Sequence, residues 1–259
     1  MSARLANKTA LVTGATSNIG RAIAIAFAAE GAHVAAAGRS QERGREVIGE
    51  IGAAGGRADF LTAHLDGSAR ASAGLAQEAA RVLGGRIDVL VNSAGIYPGL
   101  STAATGEAIF DEVYAVNVKA PFFLVAAIAP AMAEQGSGAI INLGSWIARL
   151  GIPVGSLYSS TKGAIETLTR AWAAEFGPAG VRVNAISPGV IRPPSPHEPD
   201  RVADHAAAHM MRGTPAGDSG TPDAIAPAAV YLASDESAFV HGTVIDVDGG
   251  RTNIAVIAT

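Results

Sequence analysis

Cysteine is absent from the 259 residues, which excludes disulfides, thiolate-held metals and a thiol nucleophile together. Charge is scarce as well, at 16% of residues against about 25% in an average soluble domain. Nineteen cations and 23 carboxylates leave a net charge of −4, so the chain carries no electrostatic footprint for a nucleic acid. The six histidines lack metal-ligand spacing such as His-Glu-x-x-His, and no catalytic metal is expected. The longest strongly apolar run lies between Lys119 and Glu134 and contains Pro121 and Pro130. It is shorter than the ~18–20 residues that span a bilayer, and no apolar stretch precedes the first strand-like run. No membrane segment or signal peptide is therefore expected, and the chain reads as cytoplasmic.

Glycine, by contrast, is plentiful, at 31 of 259 residues. Short apolar runs alternate with segments of helical spacing. The runs are Thr9–Thr13, His33–Ala37, Ala58–Thr62, Ile87–Val91, Ala139–Leu143, Val181–Ile186 and Thr243–Val247. Helices are expected over Arg21–Glu30, Gln41–Ala54, Ser68–Leu83, near Phe110–Ala133 and near Tyr158–Phe176. Continuous apolar strands joined by helical crossovers predict a doubly wound, parallel seven-stranded α/β sheet with helices on both faces. The seven strands fill residues 1–259, which leaves one domain. The stretch Ile191–Pro199 holds four prolines, and proline's fixed φ and missing N–H forbid a regular strand there. A loop over residues 190–216 is the expected substrate lid, because ligands in such folds sit beyond the carboxyl ends of the strands.

Two constellations carry chemistry. Thr13-Gly-Ala-Thr-Ser-Asn-Ile-Gly20 stands between a strand and a helix. There, backbone N–H groups and a helix N-terminus can meet a pyrophosphate if no side chain intervenes. Gly14 and Gly20 meet that need, and Asn18 tolerates a left-handed backbone. The second strand then ends Ala37-Gly-Arg-Ser40 without a carboxylate. Arg39 suits a 2′-phosphate that a carboxylate would repel, so NADP(H) is favoured, with NAD(H) possible. The other constellation is Tyr158-Ser-Ser-Thr-Lys162. Positions i and i+4 share a helix face, and a nearby cation lowers a tyrosine pKa. Ser145 at a strand end could bond a substrate oxygen, and Asn117, shortly before Pro121, could hold a water. Gly144-Ser145-Trp146 lacks the Gly-x-Ser-x-Gly elbow of a serine hydrolase.

Together these residues resemble the short-chain dehydrogenase/reductase family in its compact, single-domain branch. Asp88-Val-Leu-Val-Asn-Ser-Ala-Gly95, Arg182-Val-Asn-Ala-Ile-Ser-Pro-Gly189, Tyr231–Glu236 and Val247-Asp-Gly-Gly250 extend the resemblance over nearly the whole chain. It implies a Rossmann-like fold and hydride transfer between a nicotinamide and a carbonyl/alcohol pair. Tyr158 is then the general acid/base, Ser145 orients the substrate oxygen, Lys162 binds the nicotinamide ribose and tunes Tyr158, and Asn117 supports a proton relay. Gly14, Thr16, Asn18, Ile19, Gly20, Arg39, Leu65, Asn92, Ala94, Gly95, Pro188, Gly189 and Ile191 would line the cofactor along with Tyr158 and Lys162. Ile96, Tyr97, Ser145, Trp146, Ile147 and Leu150 would wall the substrate pocket. The resemblance also implies a homo-oligomer, dimer or tetramer, through the helices near 110–133 and 158–176.

The sequence departs from the family pattern at four places. Asn18 replaces the middle glycine, Ser93 the second Asn of Asn-Asn-Ala-Gly, and Pro193 a frequent Thr. His64 precedes Leu65 where an Asp is common, with Asp66 two places on. Members acting on acyl-carrier-protein thioesters often carry cations in two segments, which here read Ala133–Ala139 and Gly177–Gly180 and hold none. The expected substrate is thus a free small molecule, a hydrophobic or cyclic ketone or secondary alcohol. The alternatives are an NAD(H)-dependent secondary-alcohol dehydrogenase and a non-catalytic, cofactor-sensing binding protein.

Overall fold

The computed structural model describes residues 3–153, 155–192 and 209–254. The seven expected runs form β1 (Thr9–Thr13), β2 (His33–Gly38), β3 (Arg57–Thr62), β4 (Val89–Asn92), β5 (Gly138–Leu143), β6 (Val181–Pro188) and β7 (Val244–Val247). They make one parallel sheet in the order β3-β2-β1-β4-β5-β6-β7. The chain winds outward from β1 to β3, then returns to β4 on the other side of β1. The carboxyl ends of β1 and β4 therefore diverge into a crevice, the switch point where such sheets bind ligands.

Helices α1 (Asn18–Ala29), α2 (Gln41–Ala53), α3 (Ala69–Val82), α4 (Glu107–Tyr114), α5 (Ala120–Glu134), α6 (Ser156–Phe176) and α7 (Pro222–Ala233) cover both faces. Alternation along β1 sends Val12 to one face with Ile23, Phe27, Val47 and Ile225. It sends Leu11 to the other with Leu75, Leu124, Ile140 and Trp172. Because both faces are covered, the central strands are apolar over most of their length rather than at every second residue. The element α7 was not expected, since Pro222 and Pro227 interrupt the apolar pattern. Pro222 stands at the helix start, where a missing N–H costs nothing.

The expected helix near 110–133 is longer and less regular than its sequence suggested. A π-helical turn at Ala115–Lys119 joins α4 to α5, so the helix runs unbroken over the 28 residues Glu107–Glu134 and contains an 18-residue stretch of mean hydropathy 1.6. By length and composition it matches a membrane span, contrary to the expectation from the shorter run. Its Leu124, Val125, Ile128 and Met132 instead pack against the sheet. In the π turn the Ala120 N–H reaches back five residues to the Ala115 carbonyl.

Arg182, on β6, ties down the far end of α7. Its guanidinium donates to the carbonyls of Leu232 at 2.8 Å, Ser234 at 3.2 Å and Ser237 at 3.2 Å, and to Ser237 Oγ at 2.6 Å. Ser237 Oγ also meets the Leu232 and Ser234 carbonyls, each at 3.1 Å, so the two side chains close the helix end together. Replacing Arg182 by Met keeps the packing of its stem and removes the charge-assisted bonds. The expected cost is about 1–3 kcal/mol, read as a lower urea midpoint at an unchanged m value.

Candidate active site

The turn after β1 is built by exclusion of side chains. Gly14 has φ +67°, and a Cβ there would stand 2.9 Å from Ala94 Cα, while one on Gly20 would lie 2.4 Å from the Gly14 carbonyl oxygen. Neither space can hold an atom. Asn18 takes φ +47°, a left-handed conformation that Asn accepts more readily than most residues. It delivers the chain directly into α1, whose free N–H groups face the crevice. On the next strand, a Cβ on Gly38 would meet Thr16 Cγ2 at 2.5 Å. Two successive strand ends are thus kept bare on one side.

These ends open on a cleft of about 1100 Å³. It runs from Arg39 and Arg43 past His64, Leu65 and Gly95 to Ser145, Tyr158 and Lys162. A long trough with a glycine-bared turn, a helix N-terminus and two arginines at one end has the shape and donors that a dinucleotide requires. Gly14, Thr16, Asn18, Ile19, Gly20, Ala94, Pro188, Gly189 and Ile191, all expected to touch the cofactor, line it. The residues present fit that group.

At the inner end, α6 carries Tyr158 and Lys162 on one face, and the end of β5 leads into Ser145. The Tyr158 hydroxyl stands beside Ser145. Burial pushes Tyr158 up to about 12; the neighbouring Ser145 side chain opposes that rise, and the Tyr97 phenol adds to it. The two rings meet edge to face, with centroids 4.9 Å apart and an interplanar angle of 62°. Lys162 is 5% exposed. Its ammonium donates to the Leu143 carbonyl at 2.7 Å, and burial pulls it down to about 8. The expectation that Lys162 lowers the Tyr158 pKa is not met in this arrangement. The ammonium lies over the phenol ring, 5.4 Å from its centroid, and desolvation outweighs it.

Comparison with known proteins agrees with this geometry. A family model described as Enoyl-(Acyl carrier protein) reductase matches residues 14–252. A solved structure of a short chain dehydrogenase/reductase family protein superposes with a TM-score of 0.86 at 41% identity, covering 97% of this chain and all of that one. The chain belongs to the short-chain dehydrogenase/reductase family. It is similar to D-threitol dehydrogenase of Mycolicibacterium smegmatis, at 36% identity over 96% of this chain and 94% of the relative. It is also similar to cyclopentanol dehydrogenase of Comamonas sp., at 32% identity over 96% and 98%. This short-chain dehydrogenase/reductase is accordingly an NAD(P)-dependent oxidoreductase of alcohols or ketones.

Three expected site residues lie off the cleft wall of the dehydrogenase/reductase. Asn117 is 2% exposed and spends its amide on the backbone. It accepts from the Ile96 N–H at 2.9 Å and donates to the Ile96 carbonyl at 3.0 Å and to Thr161 Oγ1 at 3.2 Å. Asn92 donates to Asn142 Oδ1 at 2.9 Å, and Asn142 in turn to Thr169 at 2.9 Å. This ladder runs from β4 through β5 to α6. Leu150 turns away, and Ile152 stands on the wall in company with Ile96, Tyr97, Trp146 and Ile147. Of the proposed lid, Val190, Ile191 and Met210 line the cleft, while 193–208, including Pro193, lie outside the described residues. The sequence reading missed Arg43, whose only signal was its place one helical turn after Arg39. Among the described residues no group of acidic or histidine side chains could hold a metal.

The depressed Lys162 pKa has a thermodynamic consequence. Between about 8 and the ordinary lysine value of 10.5, the unfolded chain binds a proton that the folded chain does not, so stability rises with pH across that window. Below about 8 the native protein carries the whole cost of a buried ammonium. The variant Lys162→Met should therefore unfold at a higher urea concentration than the parent at pH 7, by roughly 1–3 kcal/mol. That advantage should shrink steadily between pH 8 and 10.5.

Proposed function

We propose that the protein transfers a hydride between NADP(H) and a small, largely apolar or cyclic ketone or secondary alcohol, with Tyr158 as general acid/base. The observation that carries this reading is the convergence of Ser145, Tyr158 and Lys162 at the inner end of one cleft. The nicotinamide supplies or accepts the hydride when bound. In the reductive direction Tyr158 gives its proton to the carbonyl oxygen as charge develops there. Ser145 fixes that oxygen and takes up the bond released by Tyr158. Lys162 holds the ribose hydroxyls, and its ammonium stabilises the phenolate left behind. Asn117 acts through structure, because its amide holds Ile96 and Thr161 in place. Pro121 offers no N–H to the Asn117 carbonyl, which leaves that oxygen for a water in the relay.

Arg39 and Arg43 at the outer end support NADP(H). Both line the cleft, and no carboxylate stands among Ala37–Ser40 at the end of β2. The substrate wall is apolar and aromatic, built by Ile96, Tyr97, Trp146, Ile147, Ile152 and Met210. That lining favours a substrate whose carbon skeleton is uncharged, and a cyclic alcohol is what one of the relatives oxidises by name. A second copy of the chain suits the stacked Phe110–Tyr114 pair and the exposed Phe122 along α4 and α5.

Two measurements test this reading. Titration with NADPH and NADH, followed by fluorescence of the bound dihydronicotinamide, should show the tighter complex with NADPH. Arg39→Asp should reverse that order; an unchanged order removes Arg39 from cofactor choice and favours NAD(H)-linked alcohol oxidation. Tyr158→Phe should keep dinucleotide affinity and lose about 10²–10⁴-fold in kcat. Ordinary turnover in that variant would end the acid/base assignment, and a parent that binds cofactor but turns over no alcohol or ketone would be a sensor.

A further inference from the structure

Behind Ser145 lies a second charged cluster that the chemistry above does not use. Ser145 opens a short 3-10 turn, Trp146–Ala148, and Arg149 follows it. The Arg149 guanidinium makes two hydrogen bonds to Asp246 on β7, one of them 3.0 Å long. Its Nε stands 3.7 Å from Glu166 Oε2. Asp246 also accepts from Asn253 Nδ2 at 2.7 Å. Glu166 belongs to α6, four residues after Lys162, and is 5% exposed, with Oε1 buried and without a hydrogen-bond partner. A Cβ on Gly144 would stand 3.1 Å from that oxygen, so the carboxyl sits directly against the residue that precedes Ser145. Trp146, on the same turn, packs under the Arg251 guanidinium, 4.4 Å from the ring centroid.

We propose that Arg149 is a positioning residue for Ser145, clamping the turn that carries it between Glu166 of the catalytic helix and Asp246 of β7. The bidentate pair with Asp246 supplies direction as well as energy. Glu166 sets the other side, and without the cation between them two carboxylates would face each other across the turn. Arg149 approaches no reacting atom. Its effect passes through the backbone of residues 145–149, and a displacement of about 1 Å at a reacting group costs on the order of 100-fold in rate.

The inference rests on the proposed carbonyl chemistry, so its test has one arm that does not use turnover. Trp146 and Trp172 are the two tryptophans of the chain, and Trp172→Phe leaves Trp146 as a local reporter that is 6% exposed. In that background, Arg149→Met should raise acrylamide quenching of Trp146 severalfold. In the otherwise native chain, the same substitution should lower kcat tenfold or more while the NADPH Kd stays within twofold, and Arg149→Lys should recover part of the loss. Should the methionine variant fail to fold, Asp246→Asn removes the ion pair at nearly constant shape and should give the same split on a smaller scale. Unchanged quenching and kcat would overturn the clamp. So would a joint fall of kcat, NADPH affinity and melting temperature, which marks a merely structural residue. If the parent turns over no ketone or alcohol, the functional reading fails, and the Trp146 arm still decides the clamp.

Discussion

One hydroxyl holds the crevice in shape. Thr13 Oγ1, 1% exposed at the end of β1, donates to the Val91 carbonyl at 3.1 Å and accepts from the Ser93 and Ala94 N–H groups, each at 3.1 Å. These are the first residues past the end of the β4 ladder, where the sheet stops supplying partners. Ser93 N–H also reaches the Val91 carbonyl at 3.2 Å, so without the hydroxyl it is the part-buried Ala94 N–H that would lose its acceptor, at about 1–3 kcal/mol. The same contact presses Ala94 onto Gly14, which is why no Cβ fits there. The glycine-bared turn after β1, the switch point and the segment leading to Ile96 are thus registered against one another by a side chain that resembles an ordinary strand-end threonine in the sequence.

The inner end of the cleft is assembled at the expense of stability. A buried ammonium, a phenol pushed to about 12 and an unpartnered carboxyl oxygen are gathered within two turns of α6. None of these is favourable in isolation. They persist because neighbouring elements over-determine them: the Leu143 carbonyl holds Lys162, the Asn92–Asn142–Thr169 ladder holds α6 against the sheet, and Asn117 fastens Ile96 to Thr161. In the π turn the Asn117 carbonyl lies four residues before Pro121, which has no N–H to give.

The sheet was legible in the sequence because parallel strands buried on both faces are apolar over most of their length, as in the central runs Thr9–Thr13, His33–Gly38, Val89–Asn92 and Gly138–Leu143. Ser145, Tyr158 and Lys162 were legible through family motifs, and the structure brings them together. What local pattern could not reveal depended on distant partners. The π turn is a departure from helical period that composition does not encode. Helix α7 was hidden because its two prolines read as breakers, although Pro222 occupies the one helical position that tolerates it. Leu150 and Ile152 are both apolar, and only the turn after Ser145 decides which faces the cleft. The pairing of Arg149 with Asp246, 97 residues away, follows from β7 lying beside β6.

Scarcity of charge and abundance of glycine, the two compositional oddities, have a common origin in this geometry. A sheet covered on both faces leaves few exposed positions for ions, so charge lies mostly outside the central strands β1, β2, β4 and β5. The same covering brings helices and turns close enough that several positions have no room for a Cβ: Gly14 and Gly20 at the cofactor turn, Gly44 against Phe60, Gly138 against Met132 and Gly189 against Asp248. Some of these sites are structural and some functional, and the distinction lies in what stands opposite. Where a glycine faces protein, as at Gly44, its role is packing. Where its neighbours also line the cleft, as at Gly14, Gly20 and Gly189, the bare backbone is part of the surface that a ligand meets.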